Sequence, residues 1–142
     1  MVVLVGLPGS GKSTYLAKLG VTAISSDDIR RLLTDDPTNQ GIHRTVFSLV
    51  RLLVRRRLEL GMPVTYVDAT NLVPWERRPY IKLAELYGAE SEAMFFDVSL
   101  EVCRERNRSR PRVVPDEALE RMAARLVPPA ADEGFAQVTV VR

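Results

Sequence analysis

Two rhythms of apolar and polar positions alternate along the chain. The unbroken apolar run Val2-Val3-Leu4-Val5 stops at Gly6, and short runs of similar character recur at Thr22–Ser25, Val64–Asp68, Ala93–Asp97 and Gln137–Val141. Runs of this length, bounded by turn residues, predict buried strands. Helical segments fall between them at Lys12–Leu19, closed by Gly20, at Asp27–Leu33, and over a long stretch near Ile42–Leu60, closed by Gly61. Further helices are predicted over Pro74–Tyr87, Leu100–Arg108 and Pro115–Leu126. Proline opens the first and last of these three, and Gly88 lies just past the end of the first, as helix punctuation requires.

Strand and helix in strict alternation predict an α/β fold with a parallel sheet. Functional loops in such sheets lie at the carboxyl ends of the strands. That rule puts Gly6–Thr14, Ser26–Asp28 and Asp68–Asn71 on one rim. The polar segment from Thr34 to Gly41 is a loop beside that rim, Arg110–Val114 is a short link between two helices, and Pro128–Gly134 is a loop feeding the last strand. There is no internal repeat.

Composition adds bounds. The 142 residues suit one domain spanning 1–142, enough to bury roughly two-thirds of the unfolded surface. Apolar residues make up 46% and charged ones 27%, an ordinary globular balance. No apolar run has the length of a membrane span. The chain opens on a core strand, so no signal peptide is expected. The single cysteine, Cys103, excludes an internal disulfide, suits a reducing cytoplasm and is read as a small core residue. Together these features predict a cytoplasmic protein with no membrane partner.

The net charge of +2 excludes a bulk polyanion binder. The kind of cation is more telling: only Lys12, Lys18 and Lys82 are lysines among the 20 basic residues. Arginines crowd Arg51–Arg57 and Arg104–Arg112. Codon preference explains most of them, yet the planar guanidinium also suits phosphate oxygens.

The segment Gly6-Leu7-Pro8-Gly9-Ser10-Gly11-Lys12-Ser13-Thr14 has the spacing G-x-x-x-x-G-K-[ST], after a strand and before a helix. Its glycines let backbone N–H groups close around a phosphate, and the helix N-terminus favours the anion. Lys12 would reach the β- and γ-phosphates of a nucleoside triphosphate, and the Ser13 hydroxyl would ligate Mg²⁺. Asp68 closes Val64-Thr65-Tyr66-Val67, a pattern that places a carboxylate to orient Mg²⁺ and its waters. Asn71 is positioned to hydrogen-bond the phosphate loop or a substrate.

Asp27 and Asp28 open a helix and are followed by Arg30 and Arg31. An N-cap role accounts for one carboxylate but not for two. A kinase acting on a hydroxyl needs a carboxylate near the γ-phosphate to accept or orient its proton. Asp27 fits that need, with Arg30 one turn on facing the same cleft. In Arg104–Arg112, helical spacing puts Arg106 and Arg110 on one face and Arg104 and Arg108 on another. One face can look at ATP while the other is solvated or paired with Glu101 and Glu105. An arginine over the transferring phosphoryl group stabilises its charge.

Four segments together resemble the 5′-hydroxyl polynucleotide kinases of the P-loop kinase superfamily, and in particular the kinase module of bacterial RNA-repair enzymes. They are Gly6–Thr14, Ile24–Arg30, Val67–Asn71 and Val102–Arg110. The resemblance implies a P-loop kinase fold, a five-stranded parallel sheet flanked by helices with a helical lid, and ATP with Mg²⁺. Residue by residue, it implies that Gly6, Gly9, Ser10, Gly11, Lys12, Ser13 and Thr14 hold ATP, with Arg106 and Arg110 over the transferred group. It implies Asp27 as general base, Arg30 on the acceptor's 3′-phosphate, Gln40 as a further acceptor contact, and Ser13 and Asp68 at the metal. Arg44 is placed with the acceptor, and His43 either beside it or simply at the helix start. The implied partners are an RNA or DNA 5′-hydroxyl end as substrate, and separate phosphatase or ligase proteins.

Two other readings stay open. A small-molecule hydroxyl kinase would use the same phosphate loop and Asp27; against it stand the arginine-rich acceptor side and only nine aromatics, with Trp75 read as lying away from the rim. An ATP-binding switch without an acceptor leaves Asp27 and Arg30 unexplained.

Overall fold

The computed structural model describes residues 1–110 and 113–142; Pro111 and Arg112, the latter named above in the arginine run, lie outside the described residues. Five parallel strands, β1 (Val2–Val5), β2 (Ile24–Ser25), β3 (Tyr66–Asp68), β4 (Glu92–Phe96) and β5 (Gln137–Val141), lie in the order β2-β3-β1-β4-β5. The intervening helices are α1 (Lys12–Leu19), α2 (Ser26–Thr34), α3 (His43–Glu59), α4 (Pro74–Leu86), α5 (Leu100–Arg108) and α6 (Asp116–Arg125).

The central strand is buried on both sides, which is why its sequence is apolar throughout. Val3 and Val5 face one layer, where Val46, Val50 and Val54 of α3 meet Tyr80 and Ile81 of α4. Val2 and Leu4 face the other, against Leu16 of α1 and Phe96. The spacing of the three valines on α3, four residues apart, is the stripe that lets one helix cover the sheet.

Predicted and observed elements differ mainly at their ends. β3 begins at Tyr66 rather than Val64 because Arg57 takes over the neighbouring polar groups. Its Nη2 donates to the Val64 carbonyl (2.7 Å) and its Nε to Thr65 Oγ1 (3.0 Å). β2, an edge strand paired only with β3, shortens to Ile24–Ser25. β4 starts one residue early, where Glu92 N–H donates to the Met1 carbonyl (2.8 Å). A short 3₁₀ turn at Ala131–Glu133 occupies the loop before β5.

That turn exists for a purpose in packing. It carries Glu133 to Arg77 of α4, whose side chain is fully buried. Nε and Nη2 of Arg77 donate to the two Glu133 oxygens (both 2.9 Å), and Nη1 donates to the carbonyls of Asn71 (2.9 Å) and Val127 (3.0 Å). A buried guanidinium is tolerated only when paired and saturated in this way. Substituting Glu133→Ala leaves the charge uncompensated. The expected loss in urea unfolding is about 3–5 kcal/mol, against little change for the exposed Asp132→Ala.

Candidate active site

The strand order makes the chain leave β1 toward one side of the sheet and β3 toward the other, so a crevice opens at the carboxyl ends of these two neighbours. The phosphate loop fills one lip of it. Gly9 has φ +82°, and a Cβ there would stand 2.8 Å from the Cys103 carbonyl on α5. Only glycine permits both that backbone and that approach. Gly6 sits behind the cleft rather than in its wall; a Cβ on it would meet Ser10 Oγ at 2.7 Å. α1 starts at Lys12, so its unpaired N–H groups open into the crevice. Gly9, Ser10, Gly11, Lys12, Ser13 and Thr14 all line it.

Lys12 is buried and folds back onto the loop. Its Nζ donates to the carbonyls of Gly6 and Leu7 (both 2.8 Å) and to Ser10 Oγ (3.4 Å). Burial pushes its ammonium down to about 8; Asp68 opposes the fall and Arg110 adds to it. Burial likewise holds the Asp68 carboxyl above its ordinary value, Lys12 countering and Asp27 and Asp28 reinforcing. These mutual influences place Lys12, Asp68, Asp27 and Arg110 in one electrostatic neighbourhood.

The structure separates the two aspartates that open α2. Neither is the N-cap: Ser25 is, its Oγ accepting from Asp28 N–H (3.3 Å). Asp28 is exposed at the edge of the cleft, 3.9 Å from Arg31. Asp27 turns into the cleft, where Oδ1 accepts from Nη1 of the buried Arg30 (3.0 Å). Asn71 also departs from expectation. It is buried at φ +48°, and its Nδ2 donates to the Leu4 carbonyl (2.7 Å), so its amide braces the strand that feeds the phosphate loop rather than a substrate.

The arginines of α5, and Arg110 just past its end, meet different surroundings. Arg106 lies over the loop, its Nη1 within 3.7 Å of where a Gly11 Cβ would stand. Arg110 enters the cleft, and its Nη1 is buried with no hydrogen-bond partner among the described residues. Arg104 does not pair with Glu101 or Glu105. It reaches across to α6, to Glu120 (2.7 Å) and Asp116 (3.7 Å). Asn107, absent from the sequence reading, clamps the connection: buried, it donates through Nδ2 to the Val114 carbonyl (2.6 Å) and accepts from Val114 N–H at Oδ1 (2.9 Å). Its sequence signal is weak, a polar residue on the apolar side of α5 beside Cys103.

The cleft is large, about 1680 Å³. Gln40, His43 and Arg44 line it, as expected. His43 is also the first residue of α3, its ring 4.7 Å from that of Phe47. Trp75 corrects the sequence reading: it follows β3 at the start of α4, on the rim, and lines the cleft while two-thirds exposed (66%). The rule that put Asp68 on the rim should have placed Trp75 there too. Among the described residues no helix is long and apolar enough to cross a membrane.

An AAA domain model matches residues 1–129. The chain belongs to the AAA domain family. Solved structures of similar shape include a provisionally assigned kinase from Chloroflexus aurantiacus J-10-fl, 17% identical with a TM-score of 0.76 over 99% of this chain and 82% of that one. A sugar kinase from Janibacter sp. HTCC2649 is 21% identical, TM-score 0.69, over 99% and 83%. A gluconokinase from Sinorhizobium meliloti 1021 is 19% identical, TM-score 0.64, over 99% and 80%. This AAA domain therefore has the P-loop kinase fold, as the resemblance implied, with the parallel sheet that the alternating elements predicted.

Three features of the AAA domain fit a triphosphate: the glycine cradle that a Cβ would fill, the buried ammonium of Lys12, and the unsatisfied Nη1 of Arg110. The donor set also fits Mg²⁺, which is held by one or two protein oxygens together with phosphates and water rather than by a protein cage. Ser13 and Asp68 would hold it, and no cluster of three or more acidic, histidine or cysteine ligands exists among the described residues.

Asn107→Ala should loosen the α5–α6 connection, since two backbone groups of Val114 lose their partners at about 1–3 kcal/mol each. Limited trypsin digestion is expected to cut after Arg108 several-fold faster than in the wild type, with the rest of the chain still protected.

Proposed function

We propose that this protein transfers the γ-phosphoryl group of ATP to a hydroxyl, and that the acceptor is the 5′-hydroxyl end of an RNA or DNA strand. What carries the reading is the Asp27–Arg30 pair, 3.0 Å apart, turned into the cleft that holds Lys12 and Asp68. A nucleotide-dependent switch has no use for such a pair. A hydroxyl kinase needs it.

On this reading the chain's residues divide the work as follows. Lys12 exchanges its bonds to the Gly6 and Leu7 carbonyls for the β- and γ-phosphates. Ser13 and Asp68 would hold Mg²⁺, which would supply positive charge against the phosphates. Asp27 accepts the proton of the acceptor hydroxyl as its oxygen bonds to the γ-phosphorus, while the bond from that phosphorus to the β–γ bridging oxygen breaks and ADP departs. Arg106 and Arg110 stabilise the charge spread over the moving group. Arg30 orients Asp27 and grips the acceptor's 3′-phosphate, with Gln40 and Arg44 beyond it. Separate phosphatase or ligase proteins would supply the other steps of end repair.

A phosphate-bearing acceptor is supported by the cations Arg30, Arg44 and Arg51 along the acceptor side of the cleft. The sugar kinase and gluconokinase among similar folds favour a second reading, a small-molecule hydroxyl acceptor with the same base. The deciding experiment offers γ-labelled ATP and Mg²⁺ to 5′-hydroxyl RNA and DNA oligonucleotides, to their 5′-phosphorylated controls, and to a panel of sugars and sugar acids. Label only on the 5′-hydroxyl strands supports the proposal; label only on a sugar establishes the second reading.

Asp27→Asn should lower transfer by ~10²–10⁴-fold while calorimetric ATP affinity stays near wild type. Lys12→Ala should reduce both. Wild-type transfer by Asp27→Asn would remove the base from the mechanism.

A further inference from the structure

Past the acceptor residues the cleft runs on into a furrow between α3 and α4. These helices bury Val46, Val50 and Val54 on one and Tyr80, Ile81 and Ala84 on the other. The next stripe on α3 is Arg44, Phe47 and Arg51, spaced i, i+3, i+7 on one face. Opposite it on α4 stand Trp75 and Pro79, also one turn apart, and all five line the cleft. Arg55 continues the α3 stripe, exposed, at the next turn.

Three observations set this furrow apart from a solvated surface. Trp75 is the chain's single tryptophan and is 66% exposed, although a large aromatic ring gains most from burial. Arg44 and Arg51 form no ion pair among the described residues, whereas Arg56 on the neighbouring stripe pairs with Glu59 at 2.7 Å. The furrow is continuous with the cleft that holds Asp27. An exposed ring flanked by uncommitted guanidinium groups is the chemistry that binds single-stranded nucleic acid, through base stacking and backbone phosphates.

We infer that the α3–α4 furrow holds the nucleotides that follow the acceptor end, with Trp75 stacking a base and Arg51 pairing a backbone phosphate. Seven residues of helix advance about 10 Å, so Arg44 and Arg51 serve successive phosphates rather than one. The inference rests on the polynucleotide reading and deepens it: the substrate is a strand several nucleotides long, not a mononucleotide. A small sugar would leave the furrow empty.

The test compares a nucleoside 3′-phosphate with 5′-hydroxyl di-, tetra- and octanucleotides, in both ribose and deoxyribose series, by kcat/KM. The octanucleotide should exceed the nucleoside 3′-phosphate by about tenfold or more, the size expected of one stacked base, chiefly through KM. It should also quench Trp75 fluorescence, the only indole signal in the chain. Trp75→Ala and Arg51→Ala should each shrink the ratio between octanucleotide and nucleoside 3′-phosphate, and Arg51→Ala should weaken the quench. Equal kcat/KM at every length, or no change in fluorescence at saturating octanucleotide, would overturn the furrow and leave the kinase reading standing. Absence of transfer at every length, with transfer to a sugar, would remove the polynucleotide reading and the furrow with it.

Discussion

The buried guanidinium of Arg77 holds together the parts that meet at the rim. One side chain from α4 bonds the carbonyl that follows β3, the carbonyl that follows α6, and both oxygens of Glu133 before β5. Its reach extends one step further. Asn71, whose carbonyl Arg77 holds, is in the left-handed region and hands its own amide to Leu4, two residues before the phosphate loop. The loop's position against β3 thus follows from a chain of saturated polar groups inside an apolar frame. Low polarity makes each of those bonds stronger and each omission costlier.

Within the crevice the same low polarity acts on charge. Lys12 is buried without a full counter-charge, so its ammonium is held at about 8 and leans on loop carbonyls. A triphosphate supplies what the site lacks. The acidic groups are spaced in the same spirit: Asp68 partly buried at the end of β3, Asp27 partly exposed and steadied by Arg30, Asp28 exposed beside Arg31. Equivalent residues in the sequence acquire different chemistry because they meet different degrees of burial and different partners.

Arginine is used three ways in one molecule. Arg77 is structural and saturated. Arg104 ties α5 to α6 and so fixes the helix that carries Arg106 over the phosphate loop, with Arg110 just past its end in the cleft. Arg44 and Arg51 stand along an open furrow with their charge uncommitted. Composition alone, with arginine far outnumbering lysine, cannot distinguish these roles; a partner within hydrogen-bond distance does.

The strands, the helices and the phosphate loop were legible in the sequence because each depends on local rules. These are apolar runs bounded by turn residues, proline and glycine at helix ends, and a fixed spacing of glycine and lysine. α1, α5 and β5 lie where that pattern puts them, and Asp27, Asp68, Arg106 and Arg110 all line the cleft, although Arg110 lies past the end of α5 rather than on its face. The tertiary structure decided what depends on contacts distant in sequence. Arg77 finds Glu133 56 residues away, Asn71 finds Leu4 67 residues away, and Trp75 shares a cleft with the α3 stripe only because folding brings the two helices together. Such pairings leave no periodic trace. Whether a polar side chain becomes a brace, a cap or a ligand contact is settled by the neighbour that folding brings to it.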